Sequence, residues 1–108
     1  MQAFETEWSQ SEEKIALSAF SKAYEREINA LLGEVRAKAS STVSIQDMWS
    51  LHDFLSARRH DLDGKYEYSQ TGLIFTFAQL VKEGWLSLND LDGLDAKKLS
   101  KVAALASM

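Results

Sequence analysis

Proline is absent from all 108 residues, and no other feature of the chain constrains its fold as much. Proline removes a backbone donor and clashes with the preceding turn of a helix. Without it, helices are stopped only by turn chemistry and by five glycines, Gly33, Gly64, Gly72, Gly84 and Gly93. Ser9 and Glu12 have the spacing of a capping box, in which each side chain satisfies the other residue's backbone N–H. Beyond them Leu17, Tyr24 and Leu31 recur every seven residues, with Ile28 and Val35 in the alternate apolar positions and Phe20 beside the seam. This coiled-coil-like stripe predicts a helix to about Ala39, where Ser40-Ser41-Thr42 compete for backbone hydrogen bonds and favour a turn. Ser44 and Asp47 signal a second helix, predicted through Trp49 and Leu55 to Asp63-Gly64.

Two long helices with a short connection make a hairpin. At 1.5 Å per residue the first is about 43 Å long, whereas a compact domain of 100 residues has a radius of gyration of about 13 Å. The helix therefore overhangs its globule, and the exposed stripe needs cover, which a second copy of the chain supplies. Met48, Leu51, Leu55 and Leu62 line one side of the second helix, read as core. Met48 joins Leu17, Tyr24, Ile28, Leu31 and Val35 in the predicted dimer interface. Residues 65–108 are predicted as a helical head: a helix from Ser69 to Glu83 stopped by Gly84, then short segments at Leu88–Leu91 and Lys97–Ser107. Leu73, Phe77 and Leu80 share a face, and Trp85 caps the cluster. Ile74-Phe75-Thr76-Phe77 has high β propensity but no second run to pair with. The predicted fold is all-α and dimeric, one domain with a long helical hairpin (about 9–64) and a small helical head.

Several function classes are excluded by what the chain lacks. No Cys means no disulfide, thiolate nucleophile or Cys-based metal site. With 12 basic and 16 acidic side chains the net charge is -4, which offers no field to gather nucleic acid or an anionic membrane. The most apolar window, Gly72 to Val81, is about ten residues against the roughly 20 a membrane span needs. Met1 to Glu7 is acidic and lacks the pattern of a signal peptide, so a cytoplasmic location is expected. A chain this small buries only about 60–70% of its unfolded surface, and a deep active site is disfavoured.

The densest chemistry lies between Met48 and Asp63. At about 100° per residue, Trp49, His52, Asp53, Ser56, His60 and Asp63 gather on one side of the helix, with Arg59 at its border toward the apolar stripe. His52-Asp53 suggests a metal-dependent hydrolase, but there are only two His, and His52 and His60 lie two turns apart. Ser56 stands four residues from both, yet nothing resembling an oxyanion site or nucleophile elbow accompanies it. Two readings of the face remain open: a core tryptophan among solvated polar groups, or a protein-binding surface, for which Trp and Arg are the residue types most enriched at hot spots. Arg58, Arg59 and Lys65 read as a mixed-charge surface neutralised by Asp61, Asp63 and Glu67. Phe75 is turned away from the Leu73–Phe77–Leu80 face, an outward aromatic beside the last helix and its Lys101.

The run from Trp49-Ser50-Leu51-His52-Asp53-Phe54-Leu55 through Ser56-Ala57-Arg58-Arg59-His60 to Asp61-Leu62-Asp63-Gly64-Lys65-Tyr66 closely resembles the signature of the cyanobacterial fluorescence recovery protein family. The likeness extends through Ile74 to Leu80 and Glu83-Gly84, and is echoed by Trp8-Ser9-Gln10 and Lys22-Ala23-Tyr24. It implies an all-helical dimer that is not an enzyme. Such a protein binds the light-activated red form of the orange carotenoid protein, mainly at its C-terminal domain, and speeds its return to the orange form, ending phycobilisome quenching. Carried over by position, the functional face falls on Trp49, His52, Asp53 and Arg59, and the head contacts on Phe75 and Lys101. No metal, haem, nucleotide or pigment is expected, and any association with the thylakoid runs through the partner. A generic helical dimeric adaptor is the alternative from another class.

Overall fold

The computed structural model describes residues 7–108, so all of the acidic N-terminal segment except Glu7 lies outside the described residues. Four α-helices follow in order, α1 (Gln10–Ser40), α2 (Ile45–Lys65), α3 (Leu73–Glu83) and α4 (Ala96–Ala106), with 3-10 turns at Gln70–Gly72 and Leu88–Leu91. No strand occurs among the described residues. The predicted caps are present. Ser9 Oγ accepts from Glu12 N–H while Glu12 accepts from Ser9 N–H, and Ser44 Oγ accepts from Asp47 N–H. At the end of α1 the three hydroxyls of Ser40, Ser41 and Thr42 turn back to the carbonyls of Arg36 and Lys38. They satisfy acceptors that a helix end otherwise leaves open. Gly84, at φ 88°, closes α3 in the left-handed conformation that costs glycine little.

The chain measures 55 × 26 × 25 Å with a radius of gyration of 16.9 Å, above the ~13 Å of a compact domain this size. The overhang is real. α1 and α2 run antiparallel in a steady register: Lys38 lies 4.6 Å from the Phe54 ring centroid, and Arg58 reaches Glu34 and Glu27. Lys65, one more stretch along, meets Glu27. Each step back along α1 is matched by an equal step forward along α2.

The face of α1 that packs on the head lies outside the heptad stripe and consists of Ala16, Ala19 and Ala23, all fully buried against Leu73, Phe77, Leu80, Leu91 and Val102. Small side chains let the helices approach closely. Leu17 and Tyr24 instead face water, and Ile28, Leu31 and Val35 are half-buried. One expectation needs correction: the Met48–Leu51–Leu55–Leu62 side of α2 is not core, since Leu62 alone is buried, Leu51 is half-buried, and Met48 and Leu55 are exposed. The helical period located that apolar side, but the head packs on α1, and the core cluster includes no residue of α2.

Ion pairs tie α1 to the head at two further places. Arg26 donates to Trp85 O and to Asp90, whose carboxyl is held down to about 2 by that guanidinium and by Ser87 N–H. Glu12 is buried and accepts from Lys98 and from Asp95 N–H. Burial alone would raise its pKa, but the hydrogen bonds from Asp95, Lys98 and Ser9 win and hold it to about 2. A carboxyl depressed below its ordinary 4.5 stabilises the fold above that pH and loses its contribution as the pH falls toward 2. Chemical-denaturation midpoints should therefore stay level from neutrality to about pH 5 and fall below it, with Glu12 supplying at most about 3 kcal/mol of the loss. Glu12→Gln should flatten that acid limb.

Candidate functional site

The exposed face of α2 is unusual for a helix in a chain this small. Of 21 residues only Leu62 is buried as a whole residue, with the Lys65 side chain also buried at the C-terminal end, because α2 touches α1 along one narrow edge where charged groups meet Phe54 and each other. Trp49 is 55% exposed, and its ring meets the His52 imidazole edge-on at 6.0 Å. His52 Nδ1 lies 3.4 Å from Asp53 Oδ1, a long contact between two exposed side chains. One turn and a half further on, Arg59 Nε stands 3.9 Å from Asp63, with the arginine side chain 86% exposed. The predicted cluster is brought together on one solvent face. It is open and preorganised only by neighbours on its own helix. Ser56 and His60 also face water. Among the described residues no group of three His, Asp or Glu side chains is placed to hold a metal ion.

On the head, Phe75 is 60% exposed while Phe77, two residues on, is fully buried; α3 thus turns one aromatic inward and one outward. Lys101 lies half-buried on α4, the helix packed against α3. Tyr24 and Ile28 of the predicted dimer stripe line an open groove of about 580 Å³ with Phe20 and Tyr66, its aromatic end held by edge-to-face contacts of Phe20 and Tyr24 with Tyr66.

A buried polar cluster where α2 ends was not foreseen. Lys65 Nζ donates to Glu27 at 2.8 Å and to Glu83 at 2.7 Å, with the lysine and Glu27 side chains 4% and 3% exposed. Tyr66 Oη donates to the other Glu27 oxygen at 2.8 Å, and Arg58 adds a contact at 3.3 Å. Burial lowers the affinity of Lys65 for its proton, yet the two carboxylates outweigh it and its pKa is raised; burial and the Glu27 charge both push the Tyr66 phenol up. Arg58 and Lys65 are therefore not neutralised by Asp61, Asp63 and Glu67, as the sequence reading had it, but by acids of α1 and α3. The basic residue free of those acids is Arg59. In sequence the partners are far apart, and an α2 lysine reads as a solvated charge.

No helix among the described residues is long and apolar enough to cross a membrane. A family model described as the photoprotection regulator fluorescence recovery protein matches residues 8–106. The fluorescence recovery protein of Synechocystis sp. is 50% identical over 108 residues, covering 100% of this chain and 99% of that one. The solved structure of the Fremyella diplosiphon fluorescence recovery protein superposes with a TM-score of 0.91 at 52% identity, over 94% of this chain and 100% of its own. That of the Synechocystis sp. protein does so with a TM-score of 0.90 at 51% identity and the same coverage. A match that runs through both hairpin and head, at half identity and with the same fold, places this chain in the fluorescence recovery protein family of photoprotection regulators.

Proposed function

We propose that this chain works as a homodimer that binds the light-activated red form of the orange carotenoid protein, mainly at its C-terminal domain. It speeds the return of that form to orange and so ends phycobilisome quenching, without making or breaking bonds. The observation that carries the reading is the α2 face. A tryptophan left more than half exposed beside His52, with Asp53 and an 86%-exposed Arg59 on the same side of the helix, has the composition of an interface hot spot. Phe75 and Lys101 extend the surface onto the head. The protein acts in the cytoplasm and meets the thylakoid through its partner.

Such a regulator needs only preferential affinity. A ligand that bound both arrangements of its partner equally would shift nothing, whereas each 1.4 kcal/mol of extra binding to the transition state for domain closure raises the reversion rate about tenfold. The decisive experiment is dark recovery of carotenoid-protein absorbance with this chain added below stoichiometry. Accelerated recovery with turnover supports the proposal, and unchanged recovery leaves a helical adaptor for some other partner.

The dimer is supported by Leu17 and Tyr24, at 53% and 47% exposure on one side of α1, large apolar side chains that a monomer would leave in water. Leu31→Glu should shift light-scattering mass toward the monomer at micromolar concentration, since a carboxylate without a partner in an apolar seam costs several kcal/mol. A dimer of unchanged mass would move the interface elsewhere.

A further inference from the structure

The apolar core joins α1 to the head and contains no residue of α2. The helix that carries Trp49 and Arg59 is thus tied to the rest of the chain through its C-terminal end, where the capping Tyr66 packs on the edge of the core and its direct bond to α3 is polar. Lys65 of α2 places one ammonium between Glu27 of α1 and Glu83 of α3, so three helices converge on a single nitrogen. Tyr66 fixes the second oxygen of Glu27, and Gln79 fixes the second oxygen of Glu83 at 2.9 Å. Apolar attraction has no direction of its own. A buried ammonium between two oriented carboxylates does, because rotation of α2 lengthens a charge-assisted hydrogen bond whose lysine and Glu27 ends are shielded from water.

We infer that this cluster is a lock that sets the angle between the α2 face and the head, so that Trp49, His52, Asp53 and Arg59 on one side and Phe75 on the other engage the partner as one preorganised surface. The inference rests on the partner surface proposed above. Two patches held at a fixed separation bind with the second contact already intramolecular, and the advantage is lost when the geometry wanders. Lys65 and Glu83 are positioning residues in this scheme and need not touch the partner.

The test is the cost of Phe75→Ala in two backgrounds, read as the change in apparent affinity for illuminated orange carotenoid protein from the concentration dependence of dark recovery. In the native chain Phe75→Ala should weaken binding about tenfold. In a Glu83→Gln background, which keeps size and shape but removes the charge facing Lys65, the same change should cost less than about threefold, because a head released from α2 contributes less. Glu83 is partly exposed, and circular dichroism will show whether the variant keeps its helices. If it does not, Lys65→Met, which removes the ammonium shared by Glu27 and Glu83, serves for the same comparison. An equal Phe75→Ala loss in both backgrounds overturns the lock and leaves the cluster a stabilising role alone. No loss in the native chain overturns both the lock and the head's part in the partner surface.

Discussion

Glu27→Ala is expected to lower folding stability by about 3–5 kcal/mol, the range for breaking a buried ion pair from one side. The side chain is 3% exposed and is the common acceptor for Lys65, Tyr66 and Arg58. Without it the Lys65 ammonium, 4% exposed, keeps only Glu83, and the Tyr66 hydroxyl loses its acceptor. Lys65→Met should cost less, since Arg58 and Tyr66 still satisfy the Glu27 carboxylate and the methionine fills most of the lysine's volume. Urea unfolding followed by circular dichroism at pH 7 gives the ranking directly. A Glu27→Ala loss below about 1 kcal/mol would mean that water reaches the cluster and replaces the carboxylate.

The second large effect is functional. Arg59→Leu should change stability by less than about 0.5 kcal/mol, as expected for a surface side chain, because the guanidinium is 86% exposed and meets only Asp63, at 3.9 Å. It should nevertheless slow the assisted red-to-orange return by about tenfold or more through loss of a charge-assisted contact. Arg59→Lys should restore part of the rate, since an ammonium keeps the charge but not the planar fork. The adjacent residue is the control. Arg58 is three-quarters buried and bonded to Glu27 and Glu34, so Arg58→Leu should destabilise the hairpin. Dark recovery measured beside circular dichroism and oligomer mass separates the two arginines. Full acceleration by a folded Arg59→Leu protein would remove Arg59 from the site, and unfolding would reassign it to the core.

These neighbours show which parts of the structure the sequence carried. Three helix limits were legible because they are local: Ser9 with Glu12, Ser44 with Asp47, and Gly84 act within one turn of themselves, whereas α3 begins at Leu73 and not at Ser69, a 3-10 turn at Gln70–Gly72 intervening. The polar face of α2 was legible because a helical wheel needs only the angle per residue. What a wheel cannot supply is the direction from which another element arrives. Alanine carries little hydrophobic weight, so Ala16, Ala19 and Ala23 were outranked by Leu17 and Tyr24 although the alanines are the ones buried. The same blindness concealed Lys65. Its acceptors are 38 residues back and 18 ahead; the antiparallel register of the hairpin brings up Glu27, and the docking of the head on α1 brings up Glu83. Glu12 was read as a cap and is one, but its second oxygen holds the start of α4 through Asp95 N–H, 83 residues away.

The outward-facing side chains Leu17, Tyr24, Met48, Trp49 and Leu55 have a thermodynamic consequence. Apolar surface already wet in the folded chain adds nothing to the heat capacity gained on unfolding, so the single chain should have a flatter stability curve than its length suggests. In the homodimer proposed above, the share of that increment held by Leu17, Tyr24 and Met48 is deferred to association, whose signature would be a negative heat-capacity change as that surface leaves water. Folding and assembly would then share one reservoir, and the melting temperature would be a function of protein concentration.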